Sequence, residues 1–455
     1  MKLFAEKILL SSGWAKQQTL TIESGVITAI ESGQHDDAEV VQGIIIPGMV
    51  NCHSHAFQRA FAGFSEQGSD GQDSFWTWRQ IMYKFLKQLS ANDAEVIATQ
   101  LYIEMVKMGY TRVAEFHYLH HDITGEKYTP LATMAKAIFN AAKKSGIGLT
   151  LLPVLYRFSG FGEQTPSTGQ QRFINDIAQF NQLVSDCFQL SQGYSNSNIG
   201  IAPHSLRAVD KTSLQIVVEH VRKLDAKAPI HIHISEQQQE VNDCIAHYGK
   251  RPVQWLLDNM PVDPQWCLIH ATHIDNNELH GIINTNAVAG ICPTTEANLG
   301  DGIFPTAEFL QQQGKFAIGS DSHISVNPIE ELRWLEYAQR LVRQQRAILA
   351  SNVQPSVGFN LWQKATQGGA QSTNSNVGEL AVGKQADLLV LDPQQIALFA
   401  HSDQHLLDSF IFASQQNQIK DVMINGVWVV KNKSHELEQS SSSEFSNLLN
   451  RLTIS

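Results

Sequence analysis

The sequence predicts an α/β fold: a (β/α)8 barrel of the TIM type, accompanied by a smaller β-rich portion drawn from both ends of the chain. Two patterns carry this expectation. Between about Ile44 and Ser325, eight short apolar runs alternate with longer amphipathic stretches, whereas both flanks read as short strands. Size agrees, because 455 residues exceed what one ordinary core holds, so one large domain with a smaller one is expected.

Taken in order, KLFAEKILL (2–10) and QQTLTIESGVITAIES (17–32) cluster or alternate apolar residues around a turn-like break at Ser24-Gly25. The eight runs follow: GIIIPGMV (43–50), TRVAEF (111–116), LTLLPVLY (149–156), NIGIAP (198–203), PIHIHIS (229–235), CLIHAT (267–272), AVAGICP (287–293) and FAIGSDS (316–322). Helix-like stretches such as Ala94–Gly109 and Pro328–Leu349 lie between or after them. Eight such units in about 280 residues match a closed barrel, for which about 250 residues is typical, and a doubly wound open sheet is the alternative reading. Strand character returns in ADLLVLD (386–392) and DVMINGVWVV (421–430), the latter with Asn425-Gly426 as a hairpin signal. The serine tract Ser440–Ser443 reads as a loop or loosened tail before a final helix.

Composition narrows the function classes. Net charge is -11 with no block of Lys or Arg, which argues against nucleic acid and anionic membrane as partners but leaves room for a locally basic pocket. No stretch approaches the roughly 18 apolar residues of a membrane span, and MKLFAEKILL lacks the apolar core of a signal peptide. The five cysteines are scattered without a CxxC pair and read as buried free thiols in a reducing cytoplasm.

The 18 histidines are informative through their positions, because polar residues gather at the ends of the runs. These ends read Asn51-Cys52-His53-Ser54-His55, Glu115-Phe116-His117-Tyr118, His204 with Arg207 after it, His231-Ile-His233-Ile-Ser-Glu236, His270 with His273, and Asp321 with His323. In a barrel, the C-terminal ends of all strands open on one face, so these residues would converge there. Residues i and i+2 of a strand share a side, so His53 and His55 can meet one ion while Cys52 faces away. His/Asp donors without thiolates suit zinc or another first-row divalent ion at an open catalytic site. His231 and His233 also share a side. Position 233 is the better ligand because Glu236 follows it past the strand end, leaving His231 as a supporting or core histidine.

As a set, these residues resemble the amidohydrolase superfamily. The resemblance covers nearly the whole chain, with IPGMVNCHSH (46–55) similar to its first-strand motif and GELAVGKQADLLVLD (378–392) similar to its return into a small β-sandwich. It implies a composite β-sandwich of residues 1–47 and 374–455 and a catalytic barrel of residues 48–373. Two-metal members carry a carboxylated Lys at the end of the fourth strand. Here that position reads Ala202-Pro203-His204, and His233–Glu236 with His270 and Asp321 resembles the one-metal deaminase branch. Within it, HSHAFQRAFAG (53–63), DSFWTWRQIMY (73–83), AEFHYLHHD (114–122), CPTTEANLGDGIFP (292–305) and SDSHISVNPIEELRWLEY (320–337) resemble the formimidoylglutamate deiminase family of histidine degradation.

This resemblance implies a cytoplasmic hydrolase that converts N-formimidoyl-L-glutamate and water to N-formyl-L-glutamate and ammonia, as a homodimer by analogy with the branch. His53, His55, His233 and Asp321 would hold one Zn2+ or similar ion, which lowers the pKa of a bound water to about 7. Glu236 would act as general base and then acid, His270 would orient the nucleophile, and Gln58 would hydrogen-bond the formimidoyl nitrogen. A dicarboxylate amidine calls for fixed cations, and Arg79 and Arg207 are the candidates, with Tyr118 and His204 as hydrogen-bonding partners. His117, His120, His121, His273 and His323 are read as supporting or structural. A guanine-type heterocycle deaminase is the nearest alternative, with Phe75, Trp76 and Trp78 as aromatic walls. A member lacking catalysis that binds acidic metabolites is a remoter one, since no ligand or Glu236 equivalent is missing.

Overall fold

The two patterns separate into two sheets. The computed structural model describes residues 1–64, 66, 75–396 and 402–454. At the N-terminus lie β1 (Lys2–Leu10), β2 (Gly13–Glu23), β3 (Val26–Ser32) and β4 (Glu39–Pro47). There follow β5 (Met49–Ser54), β6 (Tyr110–His117), β7 (Gly148–Leu155), β8 (Ser197–Ile199) and β9 (Ala202–Pro203). Next come β10 (Ile230–Ile234), β11 (Trp266–His270), β12 (Val288–Ile291) and β13 (Lys315–Ile318). The C-terminal strands are β14 (Leu388–Leu391), β15 (Ile419–Ile424) and β16 (Val427–Val430).

Strands from both termini form one sheet in the order β16-β15-β14-β4-β1-β2-β3. It folds over a core of its own that includes Leu3, Ile8, Leu20, Ile45, Leu388 and Met423. The edge strand β3 and the turn before it are laced to the segment that leads into β14, Ile27 N donating to Lys384 O and Ala386 N to Gly25 O, each at 2.8 Å. Gly25 permits this closure. Its φ is +82°, and a Cβ there would lie 2.2 Å from Asn425 Oδ1. The predicted hairpin is present, with Asn425 and Gly426 at φ 51° and 74° between β15 and β16.

The strands β5 to β13 are all parallel, running β10-β11-β12-β13-β5-β6-β7-β8, with β9 also paired to β7. Closure comes through residues 201–205: Ile201 bridges Ile230, and Ser205 bridges His233. The open-sheet alternative is thereby set aside. Strand four is broken at Gly200, where a Cβ would meet Pro229 O at 2.2 Å, so the run NIGIAP becomes β8 and β9. The first apolar run also divides, its IIIP part ending β4 and Met49-Val50 opening β5. The strands β6 and β7 are buried at every position, as a barrel wall covered by helices requires.

Helices follow the strands on the outside. Helix Ala91–Lys107 starts on Ser90, whose Oγ accepts from Asp93 N at 3.2 Å while the Asp93 carboxylate accepts from Ser90 N at 2.9 Å. Helix Pro328–Arg343 is shorter than the amphipathic pattern, ending on Gln344 at φ 54°. Ser440–Ser443 is not a loop: it lies inside helix Glu438–Ile454. Ser443 Oγ donates to Gln439 O at 2.9 Å, which satisfies the hydroxyl within the helix, and Leu448 and Leu452 anchor the helix in the core. Among the described residues no helix is long and apolar enough to cross a membrane.

Candidate active site

The site is built where β5 meets the turn after β13. Asp321 N donates to His53 O at 3.0 Å and His55 N donates to Asp321 O at 3.3 Å, so the ends of strands one and eight are stitched together. Asn51 reinforces the stitch, donating from Nδ2 to Ser320 Oγ at 2.6 Å and accepting from Ser320 N at 3.1 Å and His53 N at 3.3 Å. Gly319 lets this turn close against strand one, since a Cβ there would sit 2.7 Å from His53 Cβ. Ser235, His270, Ala271, Asp321 and His323 all have positive φ. Left-handed backbone at several non-glycine residues marks a constrained constellation at the strand ends.

Three imidazoles and a carboxylate converge on the barrel axis. His53 Nε2 lies 3.0 Å from His233 Nε2 and 3.4 Å from Asp321 Oδ1, and His55 Nε2 lies 3.3 Å from the same carboxylate oxygen. Ligand atoms of His53, His55 and His233 fall within 4.8 Å of one another, as do those of His53, His270 and Asp321. His55 Nδ1 donates to Phe116 O at 2.9 Å, which fixes its tautomer and leaves Nε2 as a lone pair facing the cluster. Burial holds the imidazoles neutral: the His55 pKa is pushed down to about 3, chiefly by desolvation and then by His53. Burial, helped by neighbouring histidines, also holds His53 and His233 well below the usual histidine range. A divalent cation fits this set of neutral nitrogens and one carboxylate.

Around it stand the groups that could move protons. Glu236 is buried, with Oε1 3.8 Å from His270 Nε2 and Oε2 3.7 Å from Arg207 Nη2. Burial raises its pKa, with Asp321 and Glu240 adding to the effect and His270 and Arg207 opposing it. His270 Nε2 is 3.7 Å from Asp321 Oδ2, and its Nδ1 is 3.2 Å from Glu296 Oε1. Burial disfavours its charge, yet Glu236, Glu296 and Asp321 outweigh burial and hold its pKa up at about 10.

A pocket opens over this cluster, and Gln58, Arg79, Tyr118, His204 and Arg207 all line it. Gln58, on the short helix Ala56–Phe61, donates to Tyr118 Oη at 2.9 Å, and its buried Oε1 has no hydrogen-bond partner, so an acceptor is presented to a ligand. The Arg79 guanidinium lies 5.8 Å from the centre of the Tyr83 ring. Arg207 reaches Glu240 Oε2 with Nε at 3.6 Å. Burial works against its charge, but Glu240 and Glu236 outweigh burial and hold its pKa above the usual value. His204 is kept neutral by burial and by Arg207, and its ring packs edge-on against Tyr156 with centroids 4.5 Å apart.

Residues 44–429 match the amidohydrolase family. The chain belongs to that family. It is 48% identical over 452 residues to a formimidoylglutamate deiminase from Pseudomonas aeruginosa, covering 99% of both chains. It is 25% identical over 427 residues to a 5-methylthioadenosine/S-adenosylhomocysteine deaminase from Shouchella clausii, covering 91% of this chain and 89% of the relative. Among solved structures, an amidohydrolase from Brucella melitensis superposes with a TM-score of 0.94 at 43% identity, covering 99% of both chains. A zinc-bound adenosine deaminase from Xanthomonas campestris superposes at 0.82 with 20% identity, covering 100% of this chain and 98% of the other, which speaks for the fold alone. Members of the amidohydrolase family bind divalent metal, and the donor cluster described above matches that habit.

In this amidohydrolase, all four expected ligands, Glu236, His270 and the five expected pocket residues face one cavity or the cluster beneath it. His231 lies a layer deeper, its Nε2 donating to Ser372 O at 2.7 Å. His120, His121 and His273 donate to backbone carbonyls of Val154, Ile174 and Asp301, and His323 Nε2 accepts from His55 N at 3.2 Å. His117 packs edge-on against His120. The expectation for Cys52 is corrected. It packs with Cys267 and Ile269, whose register partners are His231 and His233, so it lies on the lumen side. A register shift between Asn51 and Ser54 breaks the simple alternation. The side chains of Phe75, Trp76 and Trp78 lie outside the described residues. Sequence reasoning did not single out Met82, Tyr83, Tyr156 and Phe173 of the cavity wall, nor Glu240 and Glu296. Their signals were available only as spacing, Glu240 one helical turn beyond Glu236 and Glu296 within CPTTEANLG.

Proposed function

We propose that this amidohydrolase hydrolyses N-formimidoyl-L-glutamate to N-formyl-L-glutamate and ammonia, in the cytoplasmic degradation of histidine. The observation that carries the reading is one cavity holding a His/Asp donor cluster, a buried Glu236 and two arginines. The 48% identity to a formimidoylglutamate deiminase over the full chain supports it.

In this reading, His53, His55, His233 and Asp321 hold one ion, Zn2+ or another first-row divalent metal. The bound ion supplies Lewis acidity and a water activated at neutral pH. The Glu236 carboxylate takes one proton from the attacking water as the C–O bond forms and passes it to the formimidoyl nitrogen as the C=N double bond opens; the second proton, from the hydroxyl of the tetrahedral adduct, follows to the same nitrogen as the C–N bond breaks, so ammonia departs and the formyl C=O remains. His270 Nε2 orients the nucleophile from the opposite side of Glu236 to Arg207. Gln58 Oε1 accepts from the formimidoyl N–H. Arg79 and Arg207, with Tyr118 and His204, bind the two carboxylates. Residues 1–47 and 374–455 serve as the composite β-sandwich domain, residues 48–373 as the catalytic barrel, and the working form is a homodimer.

The test is ammonia release by the purified, metal-loaded chain offered formimidoylglutamate, guanine and adenosine-type nucleosides side by side. Metal analysis of the same sample should find one ion per chain. Two ions per chain, or turnover of a purine in preference to the diacid, would overturn the reading.

A further inference from the structure

We infer that Glu296 is a positioning residue that holds His270 with its Nε2 edge toward the reacting centre. The inference rests on the reading that His270 takes part in the reaction. Glu296 sits on the short helix Pro293–Leu299 that follows β12, with its side chain buried. Its Oε1 faces His270 Nδ1 at 3.2 Å and also accepts from Cys292 N at 2.9 Å. The backbone of the same residue returns the contact, Glu296 N donating to Cys292 O at 2.9 Å. The carboxylate is thus pinned to the end of strand seven and braces a side chain from the end of strand six.

An imidazole has two edges, and tethering one of them fixes the direction in which the other points. With Nδ1–H directed at Glu296, the opposite nitrogen faces Glu236 Oε1 at 3.8 Å and Asp321 Oδ2 at 3.7 Å. The backbone beneath the ring is itself constrained, His270 standing at φ 68° at the strand end with Ala271 at 47° after it. Glu296 is not among the residues that line the cavity above the cluster, so it reaches the substrate only through His270.

The conservative variant is informative because both hydrogen bonds converge on a single oxygen, Oε1. Glu296→Gln can keep that acceptor, whereas Glu296→Leu removes it. For Glu296→Leu, kcat should fall about 100-fold with KM within about threefold, while Glu296→Gln should recover to within about tenfold of the parent enzyme. In a His270→Ala background, Glu296→Leu should add less than about threefold, because the two residues act as one unit. Metal content should be unchanged in every variant. Additive losses in the double variant, a fall in metal content that tracks the loss of rate, or a rise in KM equal to the fall in kcat would each overturn the inference. Full activity in His270→Ala would instead sink the reading of His270 itself.

Discussion

Replacing Arg207 by alanine removes a cation that the structure holds in place from two sides. Its Nε lies 3.6 Å from Glu240 Oε2 and its Nη2 3.7 Å from Glu236 Oε2, and the residue is 9% exposed. A buried charge held this way binds an incoming carboxylate at little orientational cost, and a charge-assisted contact of this kind is worth about 2–3 kcal/mol. KM for formimidoylglutamate should therefore rise roughly 30- to 160-fold. Turnover should change less, falling several-fold, because the loss of Arg207 removes one of the two cations that favour ionised Glu236. Arg207→Lys should recover part of the KM but not all, since lysine cannot offer the paired N–H fork. The assay is steady-state ammonia release from the diacid and from analogues lacking either carboxylate. For the analogue missing the carboxylate that Arg207 holds, parent and variant should converge. A KM for the diacid within twofold of the parent would refute the clamp.

Glu236→Gln should retain its metal but lose at least about 10³-fold in kcat, as removal of the proton-transferring group demands, and kcat within tenfold would contradict that role. Asn51→Ala should weaken metal binding about 10- to 100-fold in chelator competition, because it cuts the tie between the His53 strand and the Ser320–Asp321 turn; unchanged affinity would show that the turn stands without it. The metal-free protein should lose stability as pH falls below 6.5. His53, His55 and His233 have folded pKa values lowered by burial, so the unfolded chain takes up protons that the folded chain refuses. The stability is present above the unfolded value of 6.5 and is lost as pH falls toward the His55 value of about 3, each imidazole costing up to about 1.4 kcal/mol at pH 5.5, and the three together outweigh His270, whose raised value of about 10 returns about 1.4 kcal/mol over the same range. Thermal unfolding of chelator-treated protein at pH 7.5 and 5.5 checks this, and equal melting temperatures would count against buried, neutral ligands.

Much of the architecture was legible because barrel strands leave a strong imprint. Runs buried on both faces are continuously apolar, and they switch to polar residues where the strand leaves the barrel, which is how His53, His233, His270 and Asp321 were found. The hairpin at Asn425-Gly426 was equally readable, since its conformation favours those residue types. Parity failed at Cys52 because a bulge arises from how strand one pairs with its neighbours, which no local pattern records. The serine tract joined a helix because the hydroxyls of Ser440 and Ser443 found carbonyls in the preceding turn and the later leucines found a core. The cavity wall was the least legible part. Met82, Tyr83, Tyr156 and Phe173 come from separate segments and carry no motif, so only the closed fold brings them together. Glu240 and Glu296 were hidden for a related reason, as each acts on a partner, Arg207 or His270, supplied by another strand end.

The most direct test is ammonia release by the purified chain, loaded with Zn2+, from N-formimidoyl-L-glutamate in competition with purine substrates. The account predicts stoichiometric ammonia and N-formyl-L-glutamate from the diacid, with the rate abolished by Glu236→Gln. Release of ammonia from a purine but none from formimidoylglutamate would contradict it.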